Sequence, residues 1–492
     1  MAHMGKRILA FDFGASSGRA MLADYSGGKI TIEEIHRFSN DPVMLNGVLY
    51  WDFPRQMHEI KQGILKAWNS GGFDTIGIDT WGVDFGLLDK RGDLLRNPVH
   101  YRDERNVGMM EEIFSVIPRD KLYRATGIQF MDINTICQLH YLKSRQPELL
   151  EQAETLLFMP DLMAYMLTGE AHTEYSIAST SQLLNAEARD WDWEIVDALG
   201  LPRRIFTPIV QPGAQVGMLS QAICDELGVK PVPVIAVGEH DTASAVAAVP
   251  ARTDDFIYIS CGTWSLFGTE LDAPRTDDKA FGYNMTNEGG CNNTIRFLKN
   301  IIGLWLIQES RRQWMREGSE YSYAQLETEA LAAEPFRSFI DPDHPSFVPQ
   351  GNIPERVRDF CRSTGQPVPE TVGQVMRCIY ESIALKYRNT FDMLKDTAGK
   401  SSQVIHLVGG GTKDNLLCRM TANSCNVPVV AGPIEATVLG NVAVQLIAVG
   451  EIADIREARR IIGDSQALIT YEPDDADSWQ TAYGRFRTCL GL

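Results

Sequence analysis

FDFGASSGR (Phe11–Arg19) and YISCGTWSL (Tyr258–Leu266) are two copies of one pattern. Each is an apolar run of strand character, then a glycine among small hydroxyl residues, then a return to apolar sequence. Gly14 aligns with Gly262, Ala15 with Thr263 and Ser17 with Ser265. A strand that turns sharply at glycine and presents backbone N–H groups beside hydroxyls suits phosphate. One such loop is weak, because many hairpins look like it. Two, near the starts of the two halves of the chain, predict two domains that grip one phosphorylated ligand from both sides.

The copies differ chemically. Asp12 ends the first strand, where a carboxylate could hold Mg²⁺ through water, and Arg19 can reach phosphate oxygens. The second copy has Ser260 in place of Asp12. The bland alternative is a strand-end Asp and a surface Arg.

The chain has 492 residues, enough for two or three domains, with 44% hydrophobic and 22% charged residues. A net charge of −18 argues against a nucleic-acid or anionic-membrane partner but not against ATP, which needs only local positive charge, oriented N–H groups and a metal ion. Nine cysteines without a CxxC pair read as reduced thiols of a cytoplasmic protein. No apolar run approaches a membrane span, and no signal peptide opens the chain. Ala2-His3-Met4 reads as a leader left by cloning, which puts the expected native start at Met4.

Along the chain, KRILAFDFG, GRAMLADYSGG and KITIEEIHRFS predict a β-meander, followed by a helix over Phe53–Trp68 and a buried strand over Asp74–Asp89. Residues 104–230 read as mostly helical. PVPVIAVGEHD (Pro231–Asp241) is an apolar strand running into polar residues, with a helical run behind it. After the second hairpin a long helical region is expected, then a helix over Val372–Leu394, the strand Val404–Gly411, a helix and a last strand–helix pair. The domain boundary is placed near 246–256, giving an N-terminal domain of 5–248 and a C-terminal domain of 249–492. The fold class is α/β.

No GxxxxGK[ST] loop, protein-kinase set, hydrolase elbow or Rossmann GxGxxG is present. Any ATP must therefore be held by the two hairpins and a third glycine loop, Gly409-Gly410-Gly411, which lets a flat ligand or a phosphate approach the backbone. Asn415, read as one turn into the following helix, could bond a purine or ribose. Tight helix–strand packing explains the glycines equally well. Asp241 in VGEHDTASAV lies between a strand and a helix. It reads as an N-cap, which a helix N-terminus would keep ionised, and as a base for a sugar hydroxyl, with His240 and Thr242 as partners. Trp81-Gly82 offers an apolar face and an approachable backbone, or simply core packing. Arg102-Asp103 could serve hydroxyls or pair with each other.

Taken together, DFGASSGR, GIDTWGVDFGLLD, YRDER, MPDLMAYMLTG, HDTASAV, SCGTWSL, TNEGG, RFLKNIIGLWLIQES, VGGG and AGPIEATVLGN resemble the FGGY carbohydrate kinases, the sugar-kinase branch of the actin-like ATPases. The resemblance covers nearly the whole chain. It implies two actin-like (ribonuclease H-like) domains with an interdomain cleft, and MgATP as phosphoryl donor. By position it implies that Ala15, Ser16, Ser17, Gly18, Arg19 and Thr263 hold ATP phosphates. Gln308 then lies on the nucleotide side, and Gly410 and Gly411 against the adenosine. Asp241 is implied as proton acceptor, Gly82, His240, Asp241, Thr242 and Asn300 as sugar contacts, and Asp12 as the metal-associated carboxylate. The sequence departs from the family pattern at Cys261, where Ser is expected, and at TKDN after the glycines. The implied reaction is phosphorylation of O1 of L-rhamnulose, with L-fuculose or L-xylulose as alternatives and an actin-like ATPase without sugar chemistry as a remote one. Trp81, Phe85 and Phe130 are candidates to meet the methyl of a 6-deoxy sugar. The protein is expected to be a monomer or small homo-oligomer without nucleic-acid or membrane partners.

Overall fold

A computed structural model describes residues 5–400 and 402–491. The start expected at Met4 lies outside the described residues. The chain forms two compact units. The first takes the chain up to Arg252 together with Glu270–Phe297 and Glu435–Gln466. The second takes Thr253–Thr269, Leu298–Ile434 and the chain from Ala467 onward.

The first unit is built on a six-stranded sheet. Its strands are β1 (Lys6–Phe13), β2 (Ser17–Ser26), β3 (Lys29–Ser39), β4 (Thr75–Thr80), β5 (Gln215–Met218) and β6 (Pro233–Ile235), in the order β5-β6-β4-β1-β2-β3. β1–β3 form an antiparallel meander, β1 runs parallel to β4, and β6 runs parallel to β4. Ile8 through Phe13 are all buried, as a central strand covered on both faces requires. Helix Phe53–Asn69 starts where Asp52 accepts a hydrogen bond from Arg55 N at 3.2 Å, with Pro54 in the first turn.

The second unit repeats this plan. Its strands are β7 (Ile257–Cys261), β8 (Trp264–Leu271), β9 (Ile295–Ile302), β10 (Ile405–Val408), β11 (Val429–Ala431) and β12 (Ile469–Tyr471). Six consecutive strands run β9-β8-β7-β10-β11-β12. β7 is antiparallel to β8 and parallel to β10, and β12 is antiparallel to β11. Read from its meander edge, the first sheet has the same first four positions and the same parallel step after the hairpin, but its last two strands come in the reverse chain order, β6 then β5 against β11 then β12.

Three local expectations change. The run Asp74–Asp89 is two strands, β4 and Phe85–Leu88, separated by a turn at Trp81–Asp84. RFLKNII is strand β9 rather than helix, because a short apolar run fits either periodicity. The two hairpins differ in length: Gly14 N donates to Ser17 O at 2.9 Å, whereas Gly262 N donates to Trp264 O at 2.8 Å. The second turn is one residue shorter, so Ser265 occupies the place of Gly18 rather than that of Ser17. Among the described residues no helix is long and apolar enough to cross a membrane.

Helix Ala436–Ala448 packs against helix Asp241–Ala247 in the first unit. Their closest approach is at Gly440, where an added Cβ would overlap the carbonyl oxygen of Ser244. Gly440→Ala gains helix propensity but forces the two backbones apart. We expect a net loss of about 1–3 kcal/mol, read as a lower denaturant midpoint, with activity falling as the residues at the start of the shorter helix move.

Candidate active site

The ends of β1 and β4 and the start of helix Asp241–Ala247 bring three carboxylates within electrostatic reach in the first unit. Asp12 pairs in register with Asp79 across the parallel strands and with Arg19 across the hairpin. Thr80 N donates to Glu239 O at 2.9 Å, which ties the strand end to the segment leading into Asp241.

Arg19 serves as the cation of this group. It donates to Asp12 Oδ2 at 2.5 Å through one terminal nitrogen and to Glu435 through the other. Burial works against its charge, but Asp12 and Glu435 outweigh it and raise its pKa. Arg19 thus faces carboxylates with both terminal nitrogens, where the sequence suggested phosphate.

Asp79 is fully buried, and Asn441 Nδ2 donates to its Oδ2 at 2.6 Å. Burial, with Asp12 and Asp241 nearby, pushes its pKa well up despite that hydrogen bond. Asp241 keeps 30% of its side chain open to solvent. Its pKa is also raised, by desolvation first and by Asp12, with His240 and Thr242 opposing. The N-cap position belongs to His240, and Asp241 stands in the first turn, accepting from Thr242 Oγ1 at 3.1 Å. The N-cap place expected of Asp241 thus falls to His240.

His240 is fixed from behind. Arg296, wholly buried, places a terminal nitrogen 3.0 Å from His240 Nδ1, and Glu288 lies 3.2 Å from both that guanidinium nitrogen and Nδ1. Nδ1 thus stands between a guanidinium donor and a carboxylate acceptor, and Nε2 lies 3.5 Å from Asp241 Oδ1. Arg296 and Glu288 stand in RFLKNIIGLWLIQES and TNEGG, but their contact with His240 left no sign in the sequence, because both are remote from it in the chain.

The turn of the first hairpin is held by Asn40, whose Nδ2 donates to Gly14 O at 2.9 Å and whose N donates to Ser16 O at 3.1 Å. With these carbonyls occupied, Ala15, Ser16 and Ser17 form a fixed bend. Gly18 is required by packing, since a Cβ there would enter the ring of Phe38.

Gly82 also has a packing reason: its Cβ position lies 3.1 Å from Thr180 Cγ2. The next residue, Val83, adopts φ +69°, a conformation a β-branched side chain resists. It is clamped by Thr180 Oγ1, which accepts from its N at 3.0 Å, and by Thr135 Oγ1, which donates to its O at 2.7 Å. Asp84 completes the turn by accepting from Trp51 Nε1, Trp81 Nε1, Tyr101 N and Gln138 Nε2 at 2.6–3.1 Å, while burial pushes its pKa up to about 7. Trp81 packs against Trp51 with the rings tilted by 32° and their centres 3.9 Å apart. Phe85 and Phe130 belong to a different apolar cluster from Trp81, so the three do not form one patch. Asp103 pairs with Arg105 rather than with Arg102.

In the second unit, Thr263 sits at the apex of the hairpin, with Oγ1 3.5 Å from Gln308 Oε1. Its carbonyl accepts from Gly303 N and Trp305 N, both at 3.2 Å, which joins the turn to helix Trp305–Arg316. Asn300 lies half-buried on β9. Among the three glycines only Gly410 has open space where a Cβ would stand. Gly409 has φ +87°, and a Cβ on Gly411 would strike Cys261. Cys261 is buried against Tyr387 and Ser265, and desolvation pushes its pKa up to about 11. The departure at Cys261 is therefore a packing feature beneath the glycine loop, not a lost hydroxyl in the turn. Asp414 caps the following helix through Leu417 N at 2.9 Å. Asn415 is the first helical residue, not one turn in, and accepts from Tyr471 OH at 2.6 Å.

Comparison with known proteins bears on the family and the fold. Residues 7–248 match the N-terminal domain, and residues 257–449 the C-terminal domain, of the FGGY family of carbohydrate kinases. A rhamnulokinase of Bacteroides thetaiotaomicron is 45% identical over 488 residues, covering 99% of this chain and 100% of that protein. A rhamnulokinase of Bacillus subtilis is 40% identical, covering 95% and 96%. A solved xylulose kinase from Lactobacillus acidophilus superposes with a TM-score of 0.81 at 18% identity, covering 99% of both chains, and a glycerol kinase from Plasmodium falciparum with a TM-score of 0.77 at 14% identity, covering 99% and 97%. These two support the two-domain fold of the sugar kinases. On its sequence matches, this chain belongs to the FGGY family of carbohydrate kinases.

Proposed function

We propose that this carbohydrate kinase transfers the γ-phosphoryl group of MgATP to O1 of L-rhamnulose. The observation that carries the chemistry is Asp241, a partly open carboxylate of raised proton affinity beside buried charges. Identity to rhamnulokinases over nearly the full chain supports the sugar. The O1–H proton passes to Asp241, an O1–phosphorus bond forms, and the bond to the ADP oxygen breaks. The transition state of such transfers is loose, so positioning and charge stabilisation dominate.

In the first unit we assign Ala15 to Arg19 to ATP phosphates, and Gly82, His240, Asp241 and Thr242 to the sugar. Asp12 takes the substrate's Mg²⁺ through water. The cluster of Asp12, Asp79 and Asp241 fits a divalent ion, because Arg19 already divides its charge between Asp12 and Glu435. In the second unit we assign Thr263 and Gln308 to the phosphate side of the nucleotide, Gly410 and Gly411 to the adenosine, and Asn300 to the sugar. Gly410 carries the adenosine assignment, having open space above its Cα.

Asp241→Asn should lower kcat by about 10²–10⁴-fold, the span of a general base, and leave ATP binding nearly intact. The wild type must be deprotonated at Asp241 to accept the proton. Its kcat/KM should therefore fall as pH drops through a value above the ordinary aspartate pKa of 3.8, and this limb should vanish in the variant. Near-normal turnover in Asp241→Asn would remove the assignment. An ADP-release assay with L-rhamnulose, L-fuculose, L-xylulose and L-ribulose side by side tests the sugar, with L-rhamnulose expected to give the highest kcat/KM.

Arg296 acts through His240 as a positioning residue. Arg296→Met should move the acid limb of kcat/KM upward, because His240 is no longer held from behind with Nε2 near Asp241. It should also destabilise the protein by about 3–5 kcal/mol, since Glu288 is left buried without its partner. Adding Glu288→Gln should recover stability but not the limb, and Arg296→Lys should partly restore the limb. A limb unmoved in the stable double variant would make Arg296 purely structural.

A further inference from the structure

Outside this chemistry, the first unit holds a second group of ligand-type side chains. His172 Nε2 lies 3.4 Å from Asp161 Oδ1 and 3.7 Å from Glu239 Oε1. One ligand atom from each residue lies within 4.8 Å of the others. Asp161 comes from the first turn of helix Met159–Thr168, His172 from just before Thr173–Glu174, and Glu239 from the segment before Asp241. All three residues are buried, at 0%, 6% and 2% exposure respectively.

The hydrogen bonding of this group is incomplete. Both ring nitrogens of His172 are buried with no hydrogen-bond partner, and the Asp161 and Glu239 carboxyls, whose Oδ2 and Oε2 meet no donor, can bond each other only through a shared proton. Neighbouring Glu174 shows the contrast: its two oxygens accept from Ser176 N, Ser176 Oγ, Ile177 N and Glu239 N. Buried polar atoms without partners are costly and uncommon, and two imidazole nitrogens beside carboxyl oxygens that otherwise need a shared proton call for a missing partner. The 3.4 and 3.7 Å separations are too long for good hydrogen bonds. They lie close to the roughly 3.3 Å between ligand atoms of a tetrahedral ion with 2.0–2.1 Å bonds.

We propose that Asp161, His172 and Glu239 bind one divalent transition-metal ion, of the zinc or manganese class, as a structural site separate from MgATP. One imidazole with two carboxylates suits such an ion better than an all-oxygen shell for magnesium or calcium. The competing occupant is a proton. Desolvation raises Asp161 and Glu239 well above ordinary carboxylates, so without metal they hold a proton instead. The ion would anchor Glu239, whose carbonyl accepts from Thr80 N and whose chain continues into His240 and Asp241.

The test is metal analysis of full-length enzyme, expressed with added zinc and manganese and purified without chelator. A Cys489→Ser background removes the one exposed thiol among the described residues. The expected result is about one equivalent per chain, retained through dialysis against EDTA, and lost in His172→Gln and Asp161→Asn. A wild-type measurement keeps the proposal falsifiable if those variants fail to fold: protein refolded with Zn²⁺ or Mn²⁺ should melt higher than protein refolded with EDTA. Metal-free wild type, equal melting with and without the ions, or undiminished metal in folded His172→Gln would each overturn the site.

Discussion

A buried polar ladder fixes the part of the structure on which the proposed chemistry depends. Thr75 Oγ1 donates to Gln445 Oε1 at 2.7 Å, Gln445 Nε2 donates to Asn441 Oδ1 at 2.7 Å, and Asn441 Nδ2 donates to Asp79 Oδ2 at 2.6 Å. Gln445 Nε2 also reaches Leu9 O at 3.2 Å. Every member of the chain of side chains is buried, so removing one leaves its neighbours unpaired at about 1–3 kcal/mol each. Gly77 makes room for it, since a Cβ there would stand 2.6 Å from Gln445 Nε2 and 2.7 Å from Asn441 Oδ1. The ladder seats helix Ala436–Ala448 on the sheet. That seat puts Glu435 beside Arg19 and Gly440 against the backbone of the helix that begins at Asp241.

Three carboxylates near one arginine would repel one another if all were ionised and equally placed. The fold separates their environments instead. Asp79 is closed off and takes a raised pKa, which favours its neutral form. Asp12 is neutralised by Arg19 across the hairpin. Asp241 alone keeps a substantial open surface, with His240 and Thr242 to support its charge. Groups of one chemical type whose surroundings push their proton affinities apart can divide roles, and here only the open one is placed to exchange a proton.

The legible parts of this molecule were local. Both hairpins, the glycine loop and the carboxylates Asp12 and Asp241 stand in short runs where strand periodicity and turn residues coincide. The contact of Glu288 and Arg296 with His240 was not legible, although both stand in runs that carried the family resemblance, because a partner remote in the chain leaves no periodic trace. His172 was missed for the same reason: it meets Asp161 and Glu239 only after three separate segments fold together. The strand β9 was misread because RFLKNII carries no turn signal inside it. At Gly82 and Gly411 the sequence allowed either a ligand or packing, and Thr180 and Cys261 supply a packing reason at each.

The repeated sheet separates what backbone geometry preserves from what side chains are free to change. The order of the first four strands and the parallel step after each hairpin are the same in both units, although Asp12 faces Asp79 where Ser260 faces Val408. Both turns also meet the same demand, since their inward carbonyls need donors. In the first unit Asn40 supplies them from its side chain and backbone. In the second, the shorter turn brings Gly262 and Thr263 carbonyls to Leu304 N, Gly303 N and Trp305 N at the start of a helix. Gly303 permits this approach, because a Cβ there would strike Ser265. Once the carbonyls are held from behind, the bend itself is fixed whichever residues occupy its apex. That freedom lets one copy carry Arg19 and a carboxylate while the other carries only Thr263.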